Sequence, residues 1–206
     1  MIVIIDYGMG NLRSVQKGIE KAGGEAVISS DPREMESSSG IILPGVGAFG
    51  RCMENLRKYD LVDTVKGIAR SGKPFLGICL GLQLLFDESE EFGPVEGLGV
   101  LPGKVARFPE SDTFKVPHMG WNGIKKRADT KLLEGINDSE WFYFVHSYYV
   151  VPEREEDIAT VTDYGVEFVS SVHRGNLFAS QFHPEKSAEK GLLILKNFID
   201  LVGENE

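Results

Sequence analysis

Short apolar runs and amphipathic stretches with helical spacing alternate along the first ninety residues of the chain. Ile2-Val3-Ile4-Ile5 is apolar at every position, the pattern of a strand buried on both faces. A glycine-containing turn, Asp6 to Gly10, follows. Leu12, Val15, Ile19 and Ala22 then fall at helical spacing, with Asn11 as cap and Gly23-Gly24 as stop. Ala26-Val27-Ile28 predicts a second strand, and Asp31-Pro32 opens a helix with a capping side chain and a proline in its first turn. Ile41-Ile42-Leu43 predicts a third strand that runs out into Pro44-Gly45-Val46-Gly47-Ala48-Phe49-Gly50. Helical spacing resumes from Met53 to Arg70, broken near Asp60; Pro74 to Ile78 predicts a fourth strand and Leu80 to Phe86 a helix.

This alternation predicts parallel strands with helices on both faces. Sites in such sheets form at the carboxyl ends of strands, where the Pro44–Gly50 loop and Cys79 both fall. The texture changes after Phe92. Short strands are expected around Val105 and Phe108, across Trp141–Val150, near Ala159-Thr160-Val161 and Val166–Val169, and over Leu177–Phe182, before a closing helix from Ala188 to Val202. With no repeat, linker or low-complexity tract, residues 1–206 read as a single α/β domain. A mostly parallel central sheet is flanked by helices, with additional antiparallel strands in the C-terminal half.

Composition narrows the function. The 206 residues carry a formal net charge of −9, which argues against a nucleic-acid binder. No apolar run approaches the ~18 residues of a membrane span, and Met1 leads straight into Ile2 without a basic stretch, so no secretory leader is expected. Two unpaired cysteines, Cys52 and Cys79, fit a reducing, cytoplasmic setting. The four histidines lack the spacing of a zinc site, and neither metal nor cofactor is expected.

The candidate chemistry lies in two segments. Gly77-Ile78-Cys79-Leu80-Gly81 sits at a strand-to-helix turn, where flanking glycines permit a sharp elbow that presents the thiol. The Leu80 N–H, just after the sulfur, is placed to donate to a developing oxyanion. Gln181-Phe182-His183-Pro184-Glu185 supplies an imidazole and, two residues on, a carboxylate to orient it. Nucleophile, base and orienting acid make a triad by role. Cys52, in a helix without glycines at its turn, reads as inert. His118 in a proline–glycine loop, His146 within an aromatic strand and His173 before a turn read as structural or surface residues rather than acid–base groups.

These segments, with Pro44-Gly45-Val46-Gly47 and Leu82-Gln83, resemble the class I (triad) glutamine amidotransferases. Asp6-Tyr7-Gly8-Met9-Gly10-Asn11, Pro44 to Phe49 and Pro117-His118-Met119-Gly120-Trp121-Asn122 are similar to the glutaminase subunits of imidazole glycerol phosphate synthases. The resemblance implies glutamine hydrolysis by Cys79, His183 and Glu185 through a γ-glutamyl thioester. It also implies an oxyanion hole from the N–H groups of Val46 and Leu80, and a glutamine pocket at Gly47, Gln83 and His146-Ser147-Tyr148. A heterodimeric partner, a (β/α)₈ cyclase subunit, would receive the ammonia and form imidazole glycerol phosphate and an aminoimidazole carboxamide ribotide. It would dock on Gly8, Asn11, Met119, Trp121 and Asn122, and hydrolysis is expected to be slow until it sets the Pro44–Gly47 loop. The glutaminase of another synthase, or a DJ-1-like cysteine hydrolase, shares the elbow. The Pro117–Asn122 segment argues against the former, and the Pro-Gly-Val-Gly loop against the latter.

Overall fold

A computed structural model describes residues 1–205. Four parallel strands, β1 (Ile2–Ile5), β2 (Ala26–Ser29), β3 (Gly40–Gly45) and β4 (Phe75–Cys79), alternate with helices in the first half. The helices are α1 (Leu12–Lys21), α2 (Pro32–Ser37), α3 (Phe49–Lys58), α4 (Val62–Arg70) and the short α5 (Leu80–Leu84). The unbroken apolar run of β1 has the expected cause. Val3 and Ile5 join one core cluster with Leu56 and Val65, whereas Ile2 and Ile4 join another with Val15, Ile19 and Phe198.

The second half holds β5 (Glu88–Ser89), β6 (Val95–Glu96), β7 (Gly103–Arg107), β8 (His118–Gly123), β9 (Lys125–Lys126), β10 (Trp141–His146) and β11 (Tyr148–Pro152). Next come β12 (Ile158–Asp163), β13 (Glu167–Arg174) and β14 (Leu177–Ser180), and α6 (Ala188–Glu204) closes the chain. The sheet runs β2-β1-β3-β4-β14-β13-β11-β7-β5-β6. Its first five strands are parallel, and antiparallel pairings begin at β14–β13, as the alternation and the later change of texture predict.

Several expectations need correction. The Trp141–Val150 run is two strands, not one. β10 pairs with β8 in a separate two-stranded sheet, the chain breaks at Ser147, and β11 pairs with β7 and β13 in the main sheet. His118 is not in a loop but is the first residue of β8, buried opposite His146. Phe108 lies just beyond β7 with its ring in the core, and α5 ends at Leu84 rather than Phe86. Asn11 occupies the N-cap position of α1 without a side-chain capping bond. Asp31 does cap α2, accepting from the Arg33 N–H at 2.9 Å. Among the described residues no helix is long and apolar enough to cross a membrane.

Candidate active site

Sheet order brings the site together. β3, β4 and β14 are neighbours, with Gly45 in register with Cys79 and Ser180 with Ile78, so three chain segments leave the sheet side by side. Cys79 leaves the central strand, with the Pro44–Gly47 loop on one side and Gln181 to Glu185 on the other. This is the carboxyl edge where parallel sheets place their sites.

Cys79 has φ 56° and ψ −108°, a left-handed conformation that a side-chain-bearing residue occupies only under constraint. The packing supplies it. A Cβ at Gly81 would fall on the Leu43 carbonyl oxygen, and one at Gly77 would crowd Ala179 and the Gly81 backbone, so β3, β4 and α5 close tightly only around glycine. The thiol faces the Val145 carbonyl at 4.0 Å, and the Gln181 amide donates to the sulfur at 3.7 Å. The Leu80 N–H opens α5, where helix geometry leaves donors unpaired.

Across the loop, the Tyr7 hydroxyl donates to the Pro44 carbonyl at 2.8 Å and the Cys52 thiol to the Val46 carbonyl at 3.6 Å. Cys52 is buried in the core, and burial pushes its pKa up to about 11, which suits the inert role expected of it. Val46 and Gly47 are exposed at the loop tip.

His183 is pinned through its backbone. Its N–H donates to the Tyr143 carbonyl of β10 at 2.9 Å, and the Ser187 hydroxyl, which accepts from the Tyr143 N–H, donates to the His183 carbonyl. Pro184 then turns the chain so that Glu185, with a side chain 1% exposed, lies 2.8 Å from His183 Nδ1. Burial disfavours the imidazolium, but interaction with the Cys79 sulfur and with Glu185 outweighs it and raises the His183 pKa to about 10. Four buried side-chain polar atoms among the described residues lack a hydrogen-bond partner. Two of them, His183 Nε2 and Glu185 Oε2, belong to this cluster. Nε2 is therefore open to a proton from the thiol.

A cleft of about 350 Å³ opens beside Cys79 and His183. It is lined by every residue the sequence reading named for the oxyanion and glutamine: Val46, Gly47, Leu80, Gln83, His146, Ser147 and Tyr148. Gln83 is not on a solvent face. It is buried, and its amide donates to the Tyr148 carbonyl at 3.0 Å and to Gln181 Oε1 at 2.9 Å. The His146 ring is buried as well, and burial lowers its pKa to about 3. Three further residues escaped sequence reading. Glu91 and Lys186 line the cleft with nothing local in sequence to mark them, and Gln181 was quoted only as part of the histidine segment.

None of the docking candidates lines the cleft. Met119 and Trp121, 62% and 47% exposed, alternate with inward His118 along β8. Gly8 and Asn11 are exposed in the turn before α1, whereas Asn122 is half-buried with its amide committed to the Asp163 carbonyl and His118.

The family model described as glutamine amidotransferase class-I matches residues 3–201. The protein named imidazole glycerol phosphate synthase subunit HisH from Syntrophotalea carbinolica is 53% identical, covering 98% of this chain and 100% of its own length. The HisH protein of Moorella thermoacetica is 54% identical over 98% of this chain and 95% of its own. The chain belongs to the HisH family of class-I glutamine amidotransferases. Solved structures agree with this HisH-family fold. A crystal structure of a glutamine amidotransferase superposes with TM-score 0.75 at 21% identity, over 98% of this chain and 100% of that one. A chain of the PurLQS structure from Thermotoga maritima gives TM-score 0.75 at 18% identity, over 97% of each chain.

Proposed function

We propose that the chain is the glutaminase subunit of an imidazole glycerol phosphate synthase, with Cys79, His183 and Glu185 as its catalytic triad and residues 1–206 acting as one unit. The observation that carries this reading is an elbow cysteine and a buried imidazole in one cleft of a HisH-family chain, with a carboxylate 2.8 Å from the imidazole's Nδ1. With the thiol proton already transferred to His183 Nε2, Cys79 Sγ attacks the side-chain carboxamide carbon of glutamine. The raised proton affinity of that imidazole favours the transfer. The carbonyl oxygen takes the negative charge and is held by the N–H groups of Leu80 and Val46. Loss of one such donor typically costs ~10²–10³ in rate. His183 then protonates the departing nitrogen, the C–N bond breaks, and ammonia leaves a γ-glutamyl thioester. Water, deprotonated by His183, releases glutamate and restores the thiol. Gly47, Gln83 and backbone groups of His146 to Tyr148 hold the substrate.

The reading extends to a cyclase partner of the heterodimer, in the cytoplasm. Met119 and Trp121 share the outward face of β8 with Tyr143 and Val145 opposite them on β10, and Val145 also lines the cleft. On the other side, Met9 of the turn before α1 lies against Gly47 of the oxyanion loop. A partner seated on both patches covers the mouth, receives the ammonia and sets the loop that governs the oxyanion hole. Trp121→Ala should weaken its binding by tenfold or more, as for a central aromatic anchor.

Glutamine labelled with ¹⁵N in its amide tests the whole. With the cyclase subunit, wild type should move the label into imidazole glycerol phosphate. Cys79→Ala should transfer none from glutamine while still supporting synthesis from free ammonia. Label transfer by Cys79→Ala would end the assignment of the nucleophile.

A further inference from the structure

We propose that His118 is a positioning residue for the nucleophile, acting through a buried hydrogen-bond chain that ends on the Cys79 sulfur. This rests on Cys79 being the nucleophile. The donors and acceptors along the chain have one consistent assignment. The Tyr148 carbonyl can only accept, so His146 Nδ1, 2.9 Å away, carries a proton and donates to it. His146 Nε2 is then an acceptor, and the ring nitrogen it meets at 2.9 Å, His118 Nδ1, must be the donor. His118 Nε2 in turn accepts from the Asn122 amide at 3.3 Å. That amide cannot be flipped, because Asn122 Oδ1 accepts from the Gly123 N–H at 2.8 Å.

The other arm starts from the same Tyr148 carbonyl. Gln83 spends its two amide hydrogens on Tyr148 O and Gln181 Oε1, which turns the Gln181 amide nitrogen toward the sulfur. His118, His146, Gln83 and Gln181 are all buried, so water has little access to repair a broken link. Burial lowers the pKa values of His118 and His146 to about 4 and about 3, which keeps both rings neutral, as the chain requires. Without a donor at its Nε2, His146 is free to take the other tautomer, which places a lone pair against the Tyr148 carbonyl and loosens Gln83, Gln181 and the sulfur.

The test replaces the donor and keeps the packing. His118 stacks on Phe144 at 4.8 Å and lies 4.0 Å from the Tyr164 ring, contacts that phenylalanine can preserve. In His118→Phe the rate of Cys79 alkylation by iodoacetamide, located by peptide mass spectrometry, should fall about tenfold. The glutaminase kcat measured with the cyclase should fall by a similar factor, an effect on the scale of one buried hydrogen bond. His118→Asn, whose amide nitrogen sits near the place of Nδ1, should recover both. Gln181→Met, at the sulfur end, should slow alkylation at least as much. A folded His118→Phe variant alkylated at the wild-type rate, or equal slowing in His118→Phe and His118→Asn, overturns the proposal. So does a wild-type rate in Gln181→Met, whether or not His118→Phe folds. Wild-type Cys79 that resists iodoacetamide would overturn the nucleophile reading and this proposal together, whereas a reactive wild type beside an unaffected His118→Phe overturns this proposal alone.

Discussion

Strain at the elbow can be measured by comparing Cys79→Gly with Cys79→Ala. Both variants lack the sulfur, so their difference reports only what a Cβ costs at φ 56° and ψ −108°. Backbone outside the allowed regions costs on the order of 1–3 kcal/mol for a residue with a side chain, and this ψ lies well away from the milder left-handed helical well. A value near 3 kcal/mol is therefore appropriate. Against it stand the greater freedom of glycine in the unfolded chain, about 0.5–1 kcal/mol, and the burial of one methyl group, about 0.8 kcal/mol. The balance leaves Cys79→Gly more stable than Cys79→Ala by about 1.2–1.7 kcal/mol, the reverse of the usual order. With a urea m-value of roughly 2–3 kcal/mol/M, the glycine midpoint should lie roughly 0.4–0.8 M higher. An alanine variant as stable as the glycine variant, or more so, would show that nothing is stored at the elbow and would refute the packing argument built on Gly77 and Gly81.

Other expectations follow from the same geometry. Gly81→Ala should cost more than about 4 kcal/mol, because its Cβ would fall on the Leu43 carbonyl oxygen; a urea melt near wild type would contradict this. Glu185→Gln keeps an oxygen for His183 Nδ1 but removes the charge, so kcat should fall by ~10²–10⁴ and the His183 pKa, followed by NMR, should drop. His118 and His146 stay neutral in the fold while the unfolded chain takes up protons near pH 6.5. Each should therefore remove stability as pH falls from 6.5 toward its folded value of about 4 or about 3, with a slope approaching about 1.4 kcal/mol per pH unit per group. His183 has the opposite sign. Its contribution is complete below pH 6.5 and is lost as pH rises toward about 10. Urea melts across pH 4–10 should show both limbs, and a flat profile below pH 6.5 would contradict the neutral histidine pair.

Strands β1, β3 and β4 were legible because each is buried on both faces and is followed by helical spacing, a pattern few other structures produce. The meeting of the cysteine and histidine segments was legible for a related reason. A strand–glycine–cysteine turn and a strand-ending histidine belong at the same edge once the strands are parallel. The aromatic run Trp141–Val150 was misjudged because both halves favour extended backbone. What separates them at Ser147 is the partners they find, β8 for one and β7 with β13 for the other, and those lie elsewhere in the chain. His118 misled for the same reason. Its proline and glycine neighbours read as a loop, yet pairing with β10 draws the segment into a strand that carries Gly120 at φ 131°. Gln181 is fixed by bonds to Gln83 and Cys79, roughly a hundred residues away, which no local pattern announces.

The most direct measurement of the central claim is covalent trapping with a diazo-ketone analogue of glutamine, in the presence of the cyclase subunit, followed by peptide mass spectrometry. If the cleft beside Cys79 and His183 takes glutamine, the whole adduct should lie on the peptide containing Cys79, and excess glutamine should protect it. An adduct on Cys52, or none on either cysteine, would contradict the account.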